Sequence, residues 1–430
     1  MTETLGDPGP ERHDAVLHEL EHRLQIHLGR VDQIGHDVLS IPLLREPGPT
    51  LVAAPRHPTS GAARPADAAP ERQADRAPAG PDGPRRSPTL SVMSVIPAIS
   101  TVEPGGVLRY RGHDVGELVR TRPYGEVWTL LVDGTLHGQP LPPAESFPLP
   151  VRTGDHRVDL QAALAALAPV WGFLPITDVD GVRLRSDLAR ACSMAYSFLA
   201  QSARSADLPS IGRREIVGAG GLAERFLMTW RGEVSEGDAR ALNACWVALA
   251  EHGLATSTRA ARLIAGTGAD AAACLSGAVA ASSGPIGGGA TARSLGLIEA
   301  AEHRGDARAA VRAAFEAGTL FGFGNSGYTG ADPRVTALRR VATDLGVRRL
   351  EVATAVAEAA RAEYADRDLP VPVDRGDQVM FWSALLFDHA RVPARMFTAM
   401  FACARLAGWS AHVAQVHEHR TAPGPGMIGT

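Results

Sequence analysis

The chain has 430 residues, 45% of them apolar and 21% charged, a composition that supports a sizeable globular core. A formal charge of −4 gives no general attraction to nucleic acid or to an anionic membrane. All 43 basic residues are arginine, so the chain offers no Schiff-base lysine, no pyridoxal-phosphate lysine and no complete phosphate-binding P-loop.

In chain order, the N-terminal MTETLGDPGPERHD is polar and unlike a secretory signal. No run of eighteen apolar residues occurs, so a cytoplasmic location without a membrane partner is expected. Residues 1–45 form a first segment. Val16, Leu17, Leu20, Leu24, Ile26 and Leu28 recur there at roughly helical spacing. Residues 46–89 read as a disordered linker. The stretch 46–88 holds ten of the 31 prolines and no aromatic residue, too little apolar surface to offset its ordering entropy.

The folded body is expected over 90–430. Val92, Val95 and Ile96, followed by Val107, Leu108 and Tyr110, suggest a small β-hairpin at its edge. Alanine- and leucine-rich helical stretches then dominate, from Val115 (with a break near Pro123) to His417. The fold class is therefore mainly α. Cys192, Cys245, Cys274 and Cys403 lie far apart with no CxxC pair, which predicts buried free thiols and no metal site.

Four places could carry chemistry. Ser235-Glu-Gly-Asp238 opens a helix as a capping box, with Leu242, Cys245, Trp246 and Leu249 as its apolar stripe and His252 as its last residue. A histidine there is either a structural C-cap or a functional group. Gly284-Pro-Ile-Gly-Gly-Gly-Ala290 makes a turn at a helix start, where bare N–H groups could meet a ligand. Gly322-Phe-Gly-Asn325 precedes Asp332-Pro-Arg334, which sets an arginine near a glycine-rich turn. Arg405 sits in an apolar helical run and needs an anion or several acceptors.

The pieces VLRYRGHDVGELV (107–119), AERFLMTWRGE (223–233), AEHGLATSTRAAR (250–262), SSGPIGGGA, GFGNSGYTGADPR, FWSALLF and FTAMFACARLAGWSAHV stand in an order that resembles the citrate synthase family. The resemblance covers about Ser91 to Gly429. It implies a mainly helical homodimer with a large domain (about 90–265 and 375–430) and a small domain (about 266–374). The two would close over coenzyme A and a small organic acid. Acyl-CoA is the implied co-substrate, with no tightly bound cofactor. Gly287, Gly288, Gly322 and Gly324 are the candidate coenzyme A contacts, and Arg334 and Arg405 the candidate substrate clamp.

The departures from the family pattern are as specific as the matches. His252 falls on the position that stabilises the enol of the acyl group. Asn325 stands where a second histidine acts on the ketone; an amide donates a hydrogen bond but transfers no proton, and general acid catalysis supplies about 10²–10⁴-fold. Met380 stands where an aspartate removes the methyl proton, and Asp374, or less favourably Asp377, is a displaced candidate base. The clamp loses a histidine at Leu222 and an arginine at Gly424, and Gly287 replaces the histidine of the glycine-rich turn. Two lost charge-assisted partners weaken dicarboxylate binding by about 10²–10⁴-fold. The expectation is an acyl-CoA-dependent enzyme making or breaking a carbon–carbon bond beside a thioester carbonyl, and not an efficient citrate synthase. The alternative is an impaired shell that binds acyl-CoA or an organic acid as a sensor or partner subunit.

Overall fold

The computed structural model describes residues 99–103, 106–323, 332–367 and 378–421. The N-terminal segment, the linker and the strand residues Val92, Val95 and Ile96 lie outside the described residues. So do Gly324, Asn325, Asp374, Asp377 and Gly424.

The described body begins with a three-stranded antiparallel meander, β1 (Ser100–Val102), β2 (Leu108–Tyr110) and β3 (His113–Asp114). Ser100 pairs with Tyr110, Val102 with Leu108 and Arg109 with Asp114. Asp114 closes the sheet and caps the first helix, accepting from the Glu117 N–H.

Among the described residues fifteen α-helices follow. The first group is α1 (Val115–Thr121), α2 (Tyr124–Asp133), α3 (His156–Trp171), α4 (Gly181–Ala203), α5 (Arg213–Gly218), α6 (Leu222–Arg231) and α7 (Glu236–Leu249). The second is α8 (Thr256–Gly266), α9 (Ala271–Ala281), α10 (Ala290–Arg304), α11 (Ala307–Glu316), α12 (Pro333–Asp344) and α13 (Leu350–Asp366). Last come α14 (Val379–His389) and α15 (Phe397–Thr421). Pro123 separates α1 from α2, because a proline disfavours helical geometry in the residue before it. The short α5 is not signalled in the sequence: RREIVG has no apolar stripe, and none of its residues is buried. No helix of the described residues is long and apolar enough to cross a membrane.

Helix α15 is buried nearly all round, as its lack of a polar face requires. Two tyrosines fix its position. The Tyr124 hydroxyl donates to the Ala404 carbonyl (2.9 Å) and accepts from the Ala407 N–H (3.1 Å), and the Tyr196 hydroxyl donates to the Cys403 carbonyl (2.9 Å). Their rings pack edge-on against each other and Trp246, so α2, α4 and α7 grip the stretch that carries Arg405. Gly408 brings α15 against the end of α7. Its N–H donates to the Ala250 carbonyl (3.1 Å), and a Cβ there would strike that carbonyl and the Glu251 carboxylate. All four cysteines are buried and free, and burial pushes each thiol up, which makes them inert.

Candidate active-site cleft

Ser235 caps α7, its hydroxyl accepting from the Asp238 N–H (3.3 Å), and Leu242, Cys245, Trp246 and Leu249 are all buried. The helix stops at Leu249, three residues before His252. His252 is therefore not the helix's last residue; it lies in the loop that follows. That loop is fixed by Tyr110, whose hydroxyl donates to the Glu251 carbonyl (2.9 Å) and accepts from the Glu251 N–H (3.2 Å). The left-handed Gly253 (φ 60°) then turns the chain toward α8.

His252, Arg334 and Arg405 line one cavity of about 360 Å³, with Ser257, Gln378 and Met380. Leu249, Phe321, Phe323 and Phe401 supply apolar wall. Each arginine arrives with a buried carboxylate. Asp332 caps α12 and accepts from Arg334 Nε (2.8 Å) and Nη2 (2.7 Å), a two-point fork, and also from the Val379 N–H (3.3 Å). Burial pushes the Asp332 carboxyl up, but Arg334 outweighs it and holds it below its usual range. Arg405 donates to Thr258 Oγ1 (3.0 Å) and the Leu249 carbonyl (3.3 Å) and lies 3.7 Å from Glu251 Oε2.

Glu251 is fully buried. Burial pushes its carboxyl up, yet His412, Arg405 and Ser100 together bring it down to about 2. Ser100 donates from 3.1 Å and His412 Nε2 lies 3.2 Å away. Arg262 Nη1 sits 3.3 Å from the other ring nitrogen of His412. A guanidinium only donates, so His412 Nδ1 accepts and Nε2–H donates to Glu251. Burial, and then Arg334 and Arg405, push His252 well below its usual value, so it is neutral at pH 7. A neutral imidazole offers one N–H donor beside two guanidinium groups, an arrangement suited to a carboxylate with an adjacent carbonyl.

Several expectations change. The N–H groups of Gly287, Gly288, Gly289 and Ala290 are not bare, because each donates to a backbone carbonyl within the turn. Gly288 faces Phe401, and Gly322 (φ 83°) has no room for a Cβ between Ser294 and Phe381. Packing therefore explains both glycines without a ligand. Leu222 does not face the cleft. It starts α6 and lines a different cavity, so the histidine standing with the two arginines is His252 itself. Met380 does line the cleft. Sequence reasoning missed Glu251, Asp332, His412 and Arg262. The signal for His412 is its place seven residues after Arg405, two turns along the same helix face. The signal for the carboxylates is adjacency, one residue before His252 and two before Arg334.

The family described as "Citrate synthase, C-terminal domain" matches residues 90–422. The chain is 49% identical over 311 residues to a Mycobacterium tuberculosis protein named "Putative citrate synthase 2", covering 72% of this chain and 83% of that one. It is 27% identical over 349 residues to the 2-methylcitrate synthase of Shewanella oneidensis, covering 74% and 87%. Its fold is similar to Thermoplasma acidophilum citrate synthase, solved in ternary complex with carboxymethyl coenzyme A and oxaloacetate. The TM-score there is 0.62 at 20% identity, covering 78% of this chain and 94% of the other.

Proposed function

Since the chain belongs to the citrate synthase family, we propose that it is an acyl-CoA-dependent enzyme that forms or cleaves a carbon–carbon bond beside a thioester carbonyl. Its oxo-acid is held by His252, Arg334 and Arg405, and it does not make citrate at an ordinary rate. The observation that carries this reading is the convergence of one neutral imidazole and two guanidinium groups on a single, largely apolar cavity. The guanidinium N–H groups meet the substrate carboxylate, and the His252 N–H meets an adjacent carbonyl oxygen. On this reading His252 belongs to the clamp, not to the enol-stabilising place.

Two positions that handle protons in the family then carry Asn325 and Met380. An amide can polarise a carbonyl, and a thioether is no base. Asp374, or Asp377, is the proposed displaced base. The compensation of Arg334 by Asp332 and of Arg405 by Glu251 supports an acceptor with fewer charges than oxaloacetate. The same reading includes a homodimer, a small domain over 266–374 that closes on a large one, and coenzyme A along Gly287, Gly288, Gly322 and Gly324.

A second reading, an organic-acid-binding shell without turnover, is favoured by one observation. Among the described residues lining the cleft, His252 is the only uncharged titratable group and none is a carboxylate. The experiment that separates the two is release of free coenzyme A by the purified full chain. Acetyl- and propionyl-CoA are each paired with pyruvate, 2-oxobutyrate and oxaloacetate, with calorimetry of the same acids. Release with a monocarboxylate acceptor supports the enzyme, and its loss in Asp374→Asn identifies the base. Saturable binding without release supports the shell, and neither binding nor release contradicts both.

A further inference from the structure

A second cavity of about 400 Å³ lies between the C-terminal half of α4, α5, α6 and the 142–148 loop, and shares no lining residue with the cleft. Its walls are largely apolar, with Phe147, Ile211, Ile216, Leu222 and Phe226 among them. Most of its inward polar groups are already engaged. The Tyr196 hydroxyl donates to the Cys403 carbonyl, and the Gln201 amide donates to the Phe147 carbonyl (3.1 Å) and accepts from the Leu149 N–H (2.9 Å). Arg204 donates to the carbonyls of Pro209 (2.8 Å) and Trp230 (3.0 Å). The Thr229 hydroxyl donates to the Arg225 carbonyl (2.8 Å), and Glu145 is paired with Arg190 (2.9 Å).

Two donors on this lining are buried without a hydrogen-bond partner, Ser193 Oγ and Arg225 Nε. Ser193 is only 2% exposed. Buried donors are seldom left unpaired in folded proteins, and each that is calls for an explanation. Arg204 and the exposed Arg213 bring the arginines of the lining to three, and the paired Glu145 is the only carboxylate among the described lining residues.

We propose that this cavity is a ligand site for a small amphipathic monocarboxylic acid. Its carboxylate is received by Ser193 and Arg225, and its hydrocarbon body lies along Phe147, Ile216 and Phe226. A carboxylate is acceptor-only, so it satisfies both orphan donors without leaving a new one. Arginine is the side chain best matched to it. The apolar walls favour a hydrocarbon body and disfavour a multiply charged one. The volume is that of an ordinary small-molecule pocket. This proposal is independent of the chemistry assigned to the cleft.

The test uses octanoate as the probe on the purified full chain, with octanol and succinate as controls for tail and charge. Calorimetry is expected to give saturable octanoate binding that is about tenfold or more tighter than either control. Arg225→Gln is expected to remove that advantage; if it fails to fold, Ser193→Ala is the second variant, with the same direction and a smaller loss. Crystals soaked with 8-bromooctanoate locate the bromine by its anomalous signal, which is expected beside Phe147 and Phe226. Bromine in the cleft beside Phe401, no saturable binding at millimolar octanoate, or a cavity filled by residues of the chain itself or of a second copy overturns the proposal.

Discussion

On the side of the cleft built by α7, α12 and α15, every charged group has a buried counterpart. Arg334 is forked by Asp332, and Arg405 faces Glu251, which is held by Ser100 and His412. The rest of the described lining is different in kind, with Met380, Gly322, Phe321 and Phe323 and no charged side chain. One part is a rigid array of donors whose charges are balanced before any substrate enters. The other can shape and exclude water but carries no proton. The difference supports a site organised to hold an anion more than to deprotonate a carbon. It also locates the cost of change: both sides pack on the core, but only the donor side buries charges that depend on one another.

The largest effect is expected where that coupling is cut. Glu251→Ala leaves Arg405 without its buried counter-charge and is expected to cost about 3–5 kcal/mol, read as a lowered urea midpoint. A midpoint unchanged within error would show that Arg405 does not depend on its buried counter-charge. Acid sensitivity should have the same origin. The folded-state pKa of Glu251 is about 2, against 4.5 for the free side chain. Its contribution, on the order of 3 kcal/mol, is therefore present above pH 4.5 and lost as pH falls toward 2. His252 adds to it with the same sign, because its folded pKa is also lowered. Its contribution is complete above pH 6.5 and declines below that. Unfolding free energies measured from pH 7 to pH 3 should fall with acid, and less steeply in His252→Gln.

Binding should divide in the same way. Arg334→Gln is expected to weaken binding of a 2-oxo acid by about 10–150-fold, the worth of one charge-assisted hydrogen bond. Met380→Leu, a volume-conserving change on the uncharged side, should cost less than about 1.5 kcal/mol in stability and leave that affinity within about threefold. Calorimetry on the two variants sharpens the comparison if only the first loses affinity, and breaks it if both do.

Much of this was legible in the sequence. The helical body follows from alanine- and leucine-rich stretches punctuated by glycine and proline, and the ordered motifs led to the family. His252, Arg334 and Arg405 are local signals, each beside a turn or inside an apolar run. What stayed hidden depends on distant partners. The end of α7 at Leu249 is set partly by Tyr110 across the sheet and by the close approach of Gly408, neither of which leaves a mark near His252. The internal hydrogen bonds of the 284–290 turn could not be read from glycine content, which signals freedom of the backbone and not where its N–H groups go. The placing of Leu222 depended on whether α6 borders the cleft at all, and periodicity alone does not fix that.

The central claim is that this cleft holds an oxo-acid and is poorly equipped to make citrate from it. The direct measurement is thiol release by the purified protein with saturating acetyl-CoA and oxaloacetate at pH 7. Turnover well below about 1 s⁻¹, alongside saturable oxo-acid binding that is lost in Arg334→Gln, is the predicted result. Turnover in the ordinary enzyme range of about 1–10³ s⁻¹ would contradict the account.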